Sequence, residues 1–184
     1  MTTMAENKTI SLQEYAMRYG TFLGLYWIFK FIFLPLGVAN AACQFLFLLL
    51  TMFGPVLGFI YTRRFRNVYC GGYISFFQAF RFTFFMYLFA TILVAAAHYI
   101  YFRFIDNGYL LNTYIQLLEQ LKPQLQAEAG IQADKFIEAF NLIASLSPLQ
   151  LTFQLITQNL FYGVLFALPT ALLLMRRRRV KFNF

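Results

Sequence analysis

Apolar residues along this chain come in four long blocks, each bounded by charged residues or turn chemistry, instead of the short amphipathic runs of a water-soluble domain. The blocks cover about 19–36, 41–61, 76–104 and 149–175. Each approaches or exceeds the ~20 residues a helix needs to cross the hydrocarbon core. Backbone N–H and C=O groups find no water there and must pair within the segment, so each block is predicted to be a helix. The expected fold is an all-α membrane protein with four transmembrane helices in one domain spanning residues 1–184.

Punctuation between the blocks refines this reading. Residues 1–18 are polar, with an interfacial helix near Leu12, Tyr15 and Tyr19 as one option for them. Pro35 and Gly37 are expected to end the first span, and an uncharged turn through Asn40 makes the first two spans an antiparallel hairpin. Ala39-Asn40-Ala41 has the small residues of a signal-peptide cleavage site, but Lys30 interrupts the apolar stretch before it, so the segment is read as an uncleaved span. Residues 62–75 are basic and turn-rich. Ser75-Phe76-Phe77-Gln78 and Ser147-Pro148-Leu149-Gln150 carry the Ser-x-x-Gln capping box, which marks the starts of the third and fourth spans.

The segment 105–147 has a different composition. It holds five of the seven acidic residues, Asp106, Glu119, Glu128, Asp134 and Glu138, against two lysines. Leucines and aromatics recur at helical spacing on both sides of Pro123 and Gly130, which predicts two short amphipathic helices with a broken connection. These helices form the expected extracytoplasmic loop between spans three and four.

Charge placement supplies orientation and excludes one function class. Of 184 residues 60% are apolar and 12% charged, with a formal net charge of +8. Arg63, Arg64 and Arg66 follow the second block, and Arg176, Arg177, Arg178 and Arg179 follow the fourth. Cations flanking apolar spans in this way are cytoplasmic anchors, so both termini are expected inside, where the same charges meet anionic lipid headgroups. Nucleic acid is not expected as a partner, because the aromatics lie within apolar runs and offer no exposed stacking surface between cations. Cys43 and Cys70 fall at opposite ends of one span and cannot form a disulfide together.

Two constellations stand out within the spans. Gly20 and Gly24 in span one, and Gly54 and Gly58 in span two, form small-residue notches expected to face each other across the hairpin; Gly163, Ala167 and Ala171 give span four a similar stripe. In the outer half, Lys30, Gln44, His98, Gln158 and Asn159 lie at similar depth, and all four spans contribute. An intramembrane lysine marks a functional site or finds a partner, and Asp106 is the nearest candidate counter-ion. The layer can serve as interhelical hydrogen bonding with Lys30 reaching toward headgroups, or as a pocket for a lipid phosphate. No nucleophile with its base, paired carboxylates, phosphate loop or metal-ligand spacing is visible, so neither catalysis nor a cofactor is expected.

Gly71-Gly72-Tyr73-Ile74-Ser75-Phe76-Phe77-Gln78-Ala79-Phe80, followed by a span closing on Tyr101-Phe102-Arg103-Phe104-Ile105-Asp106, resembles the bacterial family known as domain of unknown function 4199. The resemblance extends over nearly the whole chain through the order of spans, the long loop and the basic C-terminus. It implies a small inner-membrane protein and transfers no catalytic residue. By size and topology such proteins are similar to the membrane subunits that accompany polyprenyl-phosphate glycosyltransferases. The leading expectation is a non-enzymatic accessory or scaffold subunit of a membrane partner. The alternative is a small lipid-binding or transport protein that uses the outer polar layer.

Overall fold

In the computed structural model, which describes residues 11–129 and 133–176, the chain is helical nearly throughout. Among the described residues, four helices are long and apolar enough to cross a membrane: α1 (Leu12–Ala39), α2 (Ala41–Tyr69), α3 (Phe76–Ile100, continued by a π-helical turn over Tyr101–Ile105) and α6 (Pro148–Leu174). The chain is therefore a multi-pass membrane protein. Between α3 and α6 lie α4 (Tyr109–Ala129) and α5 (Ala133–Ala144).

Local chemistry accounts for most boundaries and corrects several expectations. The Ser11 side chain accepts from the Glu14 amide at 3.3 Å, so α1 begins at Leu12 and residues 12–18 belong to the span helix. Pro35 and Gly37 do not end α1, which runs on to Ala39; Asn40 then caps α2 by accepting from the Ala42 amide at 2.9 Å. Past residue 61, where an exit from the apolar block was expected, α2 continues through its arginines to Tyr69. Helix α4 passes through Pro123 without stopping, which makes it a 21-residue helix instead of a short one. The break expected at Gly130 lies outside the described residues.

The two expected capping boxes differ. At Ser147 both halves form, with the Gln150 amide donating to the Ser147 hydroxyl at 3.3 Å and the Ser147 amide donating to the Gln150 side chain at 2.9 Å. At Ser75 only the first half forms, because the Gln78 side-chain amide turns to the Cys70 Sγ, 3.8 Å away.

Helix α3 is the centre of the bundle. It packs along both α1 and α6, while α2 leans chiefly on α1. Its buried face carries Ala79, Phe82, Thr83, Met86, Tyr87, Ala90, Thr91, Val94 and His98. Near the arginine-bearing end, α2 closes onto this face. Phe65 stacks on Phe82 with centroids 4.0 Å apart, and the Thr62 and Thr83 hydroxyls share a hydrogen bond of 2.9 Å. With one proton each, one hydroxyl donates to the other, and the accepting one donates to the carbonyl four residues back, at Gly58 or Ala79, so both hydroxyls are satisfied in the apolar interior. At the same end Ile74 and Arg176 exchange backbone hydrogen bonds of 3.2 and 2.9 Å, a two-residue antiparallel bridge that ties the α2–α3 loop to the end of α6. Arg66 adds a third tie by donating from Nη1 to the Leu174 carbonyl at 3.2 Å.

A candidate intramembrane binding cavity

Toward the other end the helices leave a cavity of about 390 Å³, within the size range of small-molecule sites. All four spans line it. Helix α1 contributes Trp27, Lys30, Phe31 and Leu34, whose i, i+3, i+4, i+7 spacing defines one helical face. Phe47, Thr51, Gly54 and Pro55 come from α2, Tyr87, Val94 and His98 from α3, and Leu155, Asn159, Tyr162 and Phe166 from α6. The wall is thus mostly aromatic and aliphatic, with a few polar groups converging on it.

Lys30 is the only charged residue of that lining. Its ammonium donates to the Thr51 hydroxyl at 3.3 Å and lies 5.9 Å from the Trp27 ring and 5.6 Å from the Phe47 ring, within cation–π range. A hydroxyl and two ring faces solvate an ammonium only in part, and among the described residues no carboxylate pairs with it. The expected counter-ion is engaged elsewhere. Asp106 accepts from the Tyr101 hydroxyl at 2.7 Å and from the Leu110 amide at 3.1 Å, so it caps the start of α4.

Two further cavity residues carry unspent hydrogen-bonding capacity. The Tyr87 hydroxyl and His98 Nδ1 are buried without a hydrogen-bond partner among the described residues. A buried polar atom left unpaired costs about 1–3 kcal/mol, which makes such atoms rare; Thr91 Oγ1, outside the cavity lining, is a third. The His98 ring is held by Phe31, with centroids 4.2 Å apart. Among the described residues, no three His, Cys, Asp or Glu side chains come together.

Of the five residues expected in the polar layer, Lys30, His98 and Asn159 meet in the cavity and two do not. Gln44 accepts instead from the Tyr114 hydroxyl of α4 at 3.3 Å, and exposed Gln158 donates to Tyr162 along its own helix at 3.4 Å. Trp27, Thr51 and Tyr87 were missed by sequence reasoning. A signal existed, since Trp27 precedes Lys30 by three residues and Tyr87 shares a helical face with His98 through Thr91 and Val94.

The expected mutual approach of the glycine notches is not what the structure shows. A Cβ on Gly20 would stand 2.7 Å from the Met86 carbonyl oxygen, and one on Gly24 would stand 3.2 Å from that of Ala90, so both notches of α1 receive α3. Gly58 faces the Tyr87 ring, and Gly54 faces Trp27 Nε1 at 3.4 Å. The α1–α2 hairpin makes its closest glycine approach at Gly37, where a Cβ would stand 2.9 Å from the Gln44 Cα. Gly163, Ala167 and Ala171 are buried on α6, with Gly163 against the Tyr87 Cβ. Arg63, Arg64 and Arg176 are exposed and Arg66 is half-buried; Arg177, Arg178 and Arg179 lie outside the described residues.

Fold and cavity together define a class, an all-helical membrane protein whose four described spans enclose a mostly apolar cavity with a few polar groups. Within that class the chain belongs to the family described as Protein of unknown function (DUF4199), whose model matches residues 18–176. No curated protein and no solved structure matches it.

Proposed function

We propose that this protein is a non-enzymatic inner-membrane protein that binds a small anionic amphiphile in the cavity between its spans, with both termini on the cytoplasmic side. The observation that carries the reading is Lys30, a cation in the cavity wall without a carboxylate partner among the described residues. An intramembrane charge is costly, and an anionic ligand would offset that cost. The direction of one hydrogen bond speaks against a Thr51–Lys30 nucleophile and base pair. Thr51 spends its hydroxyl proton on the Phe47 carbonyl at 2.8 Å, so Lys30 meets that oxygen as a donor and not as a base.

Orientation rests on the exposed arginines at the Arg63, Arg64 and Arg176 end and on the acidic sequence between α3 and α6. In a Cys43→Ser background, a membrane-impermeant maleimide added to intact cells should label a cysteine placed at exposed Glu138 and spare Cys70; the reverse pattern overturns the orientation. After permeabilisation Cys70 should label slowly at neutral pH and faster as pH rises, since burial pushes its thiol above the usual range and less thiolate is present.

An accessory role toward a membrane partner such as a polyprenyl-phosphate glycosyltransferase is the second reading. Its support is the exposed apolar surface of α4 and α5 at Tyr109, Leu117, Leu121, Phe136 and Leu142. Gentle extraction followed by native mass spectrometry separates the two. The cavity reading expects a co-purifying anionic amphiphile that is depleted by Lys30→Met. Equal bound lipid in both proteins, with a protein partner lost on Leu117→Glu, would replace it with the accessory reading.

A further inference from the structure

We infer that the occupant of the cavity is a single-chain lipid anion, a carboxylate or phosphate on one hydrocarbon tail, which enters sideways from the bilayer through the gap between α2 and α6. This deepens the binding reading above and rests on it.

Charge sets the head group. The lining offers one cation, no carboxylate, and the uncharged polar groups of Thr51, Tyr87, His98 and Asn159. A ligand with one negative charge would neutralise that set, and hydrogen bonds from Tyr87, His98 and Asn159 would bind the remaining oxygens, while Thr51, whose proton goes to the Phe47 carbonyl, steadies the ammonium. The unpaired Tyr87 hydroxyl is a donor suited to this task. The rest of the wall is largely aliphatic or aromatic, which suits a hydrocarbon tail.

The place of entry follows from where α2 lets go of its neighbours. Its side-chain ties to α3 and α6, at Gly58, Thr62, Phe65 and Arg66, all lie toward the arginine end. Beyond Gly54 its ties run to α1 and α4, through Leu50 to Tyr26, Thr51 to Lys30 and Gln44 to Tyr114. The pair α2 and α6 is therefore fastened at one end and unfastened at the other. Thr51 on α2 and Tyr162 on α6 each line the cavity and are also exposed, with Tyr162 at 43%. Residues with both properties mark an opening, and these two stand on the helices flanking the gap. Around them the outer surfaces carry Leu48, Met52, Phe161 and Leu165, so the opening gives onto lipid. With about 390 Å³ inside, the cavity takes a head group and the start of one tail, while the rest of the chain stays in the bilayer.

Trp27, the sole tryptophan, lines the cavity and reports on its occupancy. The full-length protein in nanodiscs of unbrominated phosphatidylcholine is titrated with dibromostearate, with a brominated single-chain alkyl phosphate and with the corresponding brominated alcohol. Saturable quenching of Trp27 is expected for either or both anions, and which of them quenches names the head group. The alcohol should give only the linear collisional background. Lys30→Met should weaken the saturable component at least about tenfold, the size of one charge-assisted hydrogen bond, while Lys30→Arg retains it. Tyr162→Ala, which opens the lip, should speed the onset of quenching in stopped flow at unchanged initial Trp27 emission. An alcohol that saturates equally well overturns the anion assignment, which the function proposed above shares, and leaves only amphiphile binding in the cavity standing. Onset unaltered by Tyr162→Ala overturns the lateral route alone. Absence of saturable quenching with every probe overturns the binding reading itself.

Discussion

The two ends of this bundle solve the same packing problem differently. At the arginine end, α2 closes on α3 through a ring stack, a threonine pair and a glycine, and the Ile74–Arg176 bridge joins the loop to α6. At the other end α2 stays with α1, α3 stays with α1 and α6, and the cavity occupies the remaining space. Lipid tails are as apolar as leucine, so helices in a bilayer associate only where surfaces fit or polar groups pair. One end has those devices. Among the described residues, the other lacks them between α2 and α6, and polar groups there face a cavity in place of a neighbouring helix. A sealed end can thus hold the bundle together while the open end admits a ligand.

The comparison is broken most directly by Phe82→Ala. Phe82 is fully buried between Phe65 and Tyr19, so its loss should cost about 3–5 kcal/mol in a reversible unfolding titration. The half-buried cavity residue Phe47 should lose clearly less on the same change. Equal losses would mean that the two ends are packed alike.

Glycine substitutions sharpen the same contrast at a smaller scale. Gly20→Ala drives a methyl against the Met86 backbone and should cost about 1–3 kcal/mol. Gly54→Ala meets only Trp27 Nε1 at 3.4 Å and should be nearly silent in the same titration. A double-mutant cycle on Thr62→Val and Thr83→Val should return a coupling of about 0.6 kcal/mol, the usual worth of an interhelical hydrogen bond in a membrane. Zero coupling would leave the ring stack as the main side-chain fastening of α2 to α3.

Smallest of all should be the effect of Lys30→Met on thermal stability without ligand. The change removes a poorly solvated charge and keeps a similar volume, so the melting temperature should stay level or rise slightly. A clear fall would make Lys30 a fastening of the α1–α2 pair through Thr51 instead of a group held in readiness for an anion.

Four helices were legible in the sequence because the cost of an unpaired backbone in hydrocarbon leaves an apolar block of this length little choice. The starts at Ser75 and Ser147 were legible too, since a cap is a contact between residues three apart. Depth was also readable by counting along each span, and it brought Lys30, His98 and Asn159 to the same level. Facing was not. These helices are apolar on nearly every side, so hydropathy gives no inward direction, and rotation about each axis is decided by its neighbours. Gln158 and Asn159 sit at one depth but ~100° apart around α6, and only Asn159 reaches the cavity. The same ignorance of rotation paired the α1 and α2 glycines with each other, when tertiary packing gives Gly20, Gly24 and Gly58 to α3. Which helix is central, where α2 lets go, and therefore where a cavity can exist depend on contacts between residues far apart in the chain, and only the assembled bundle decides them.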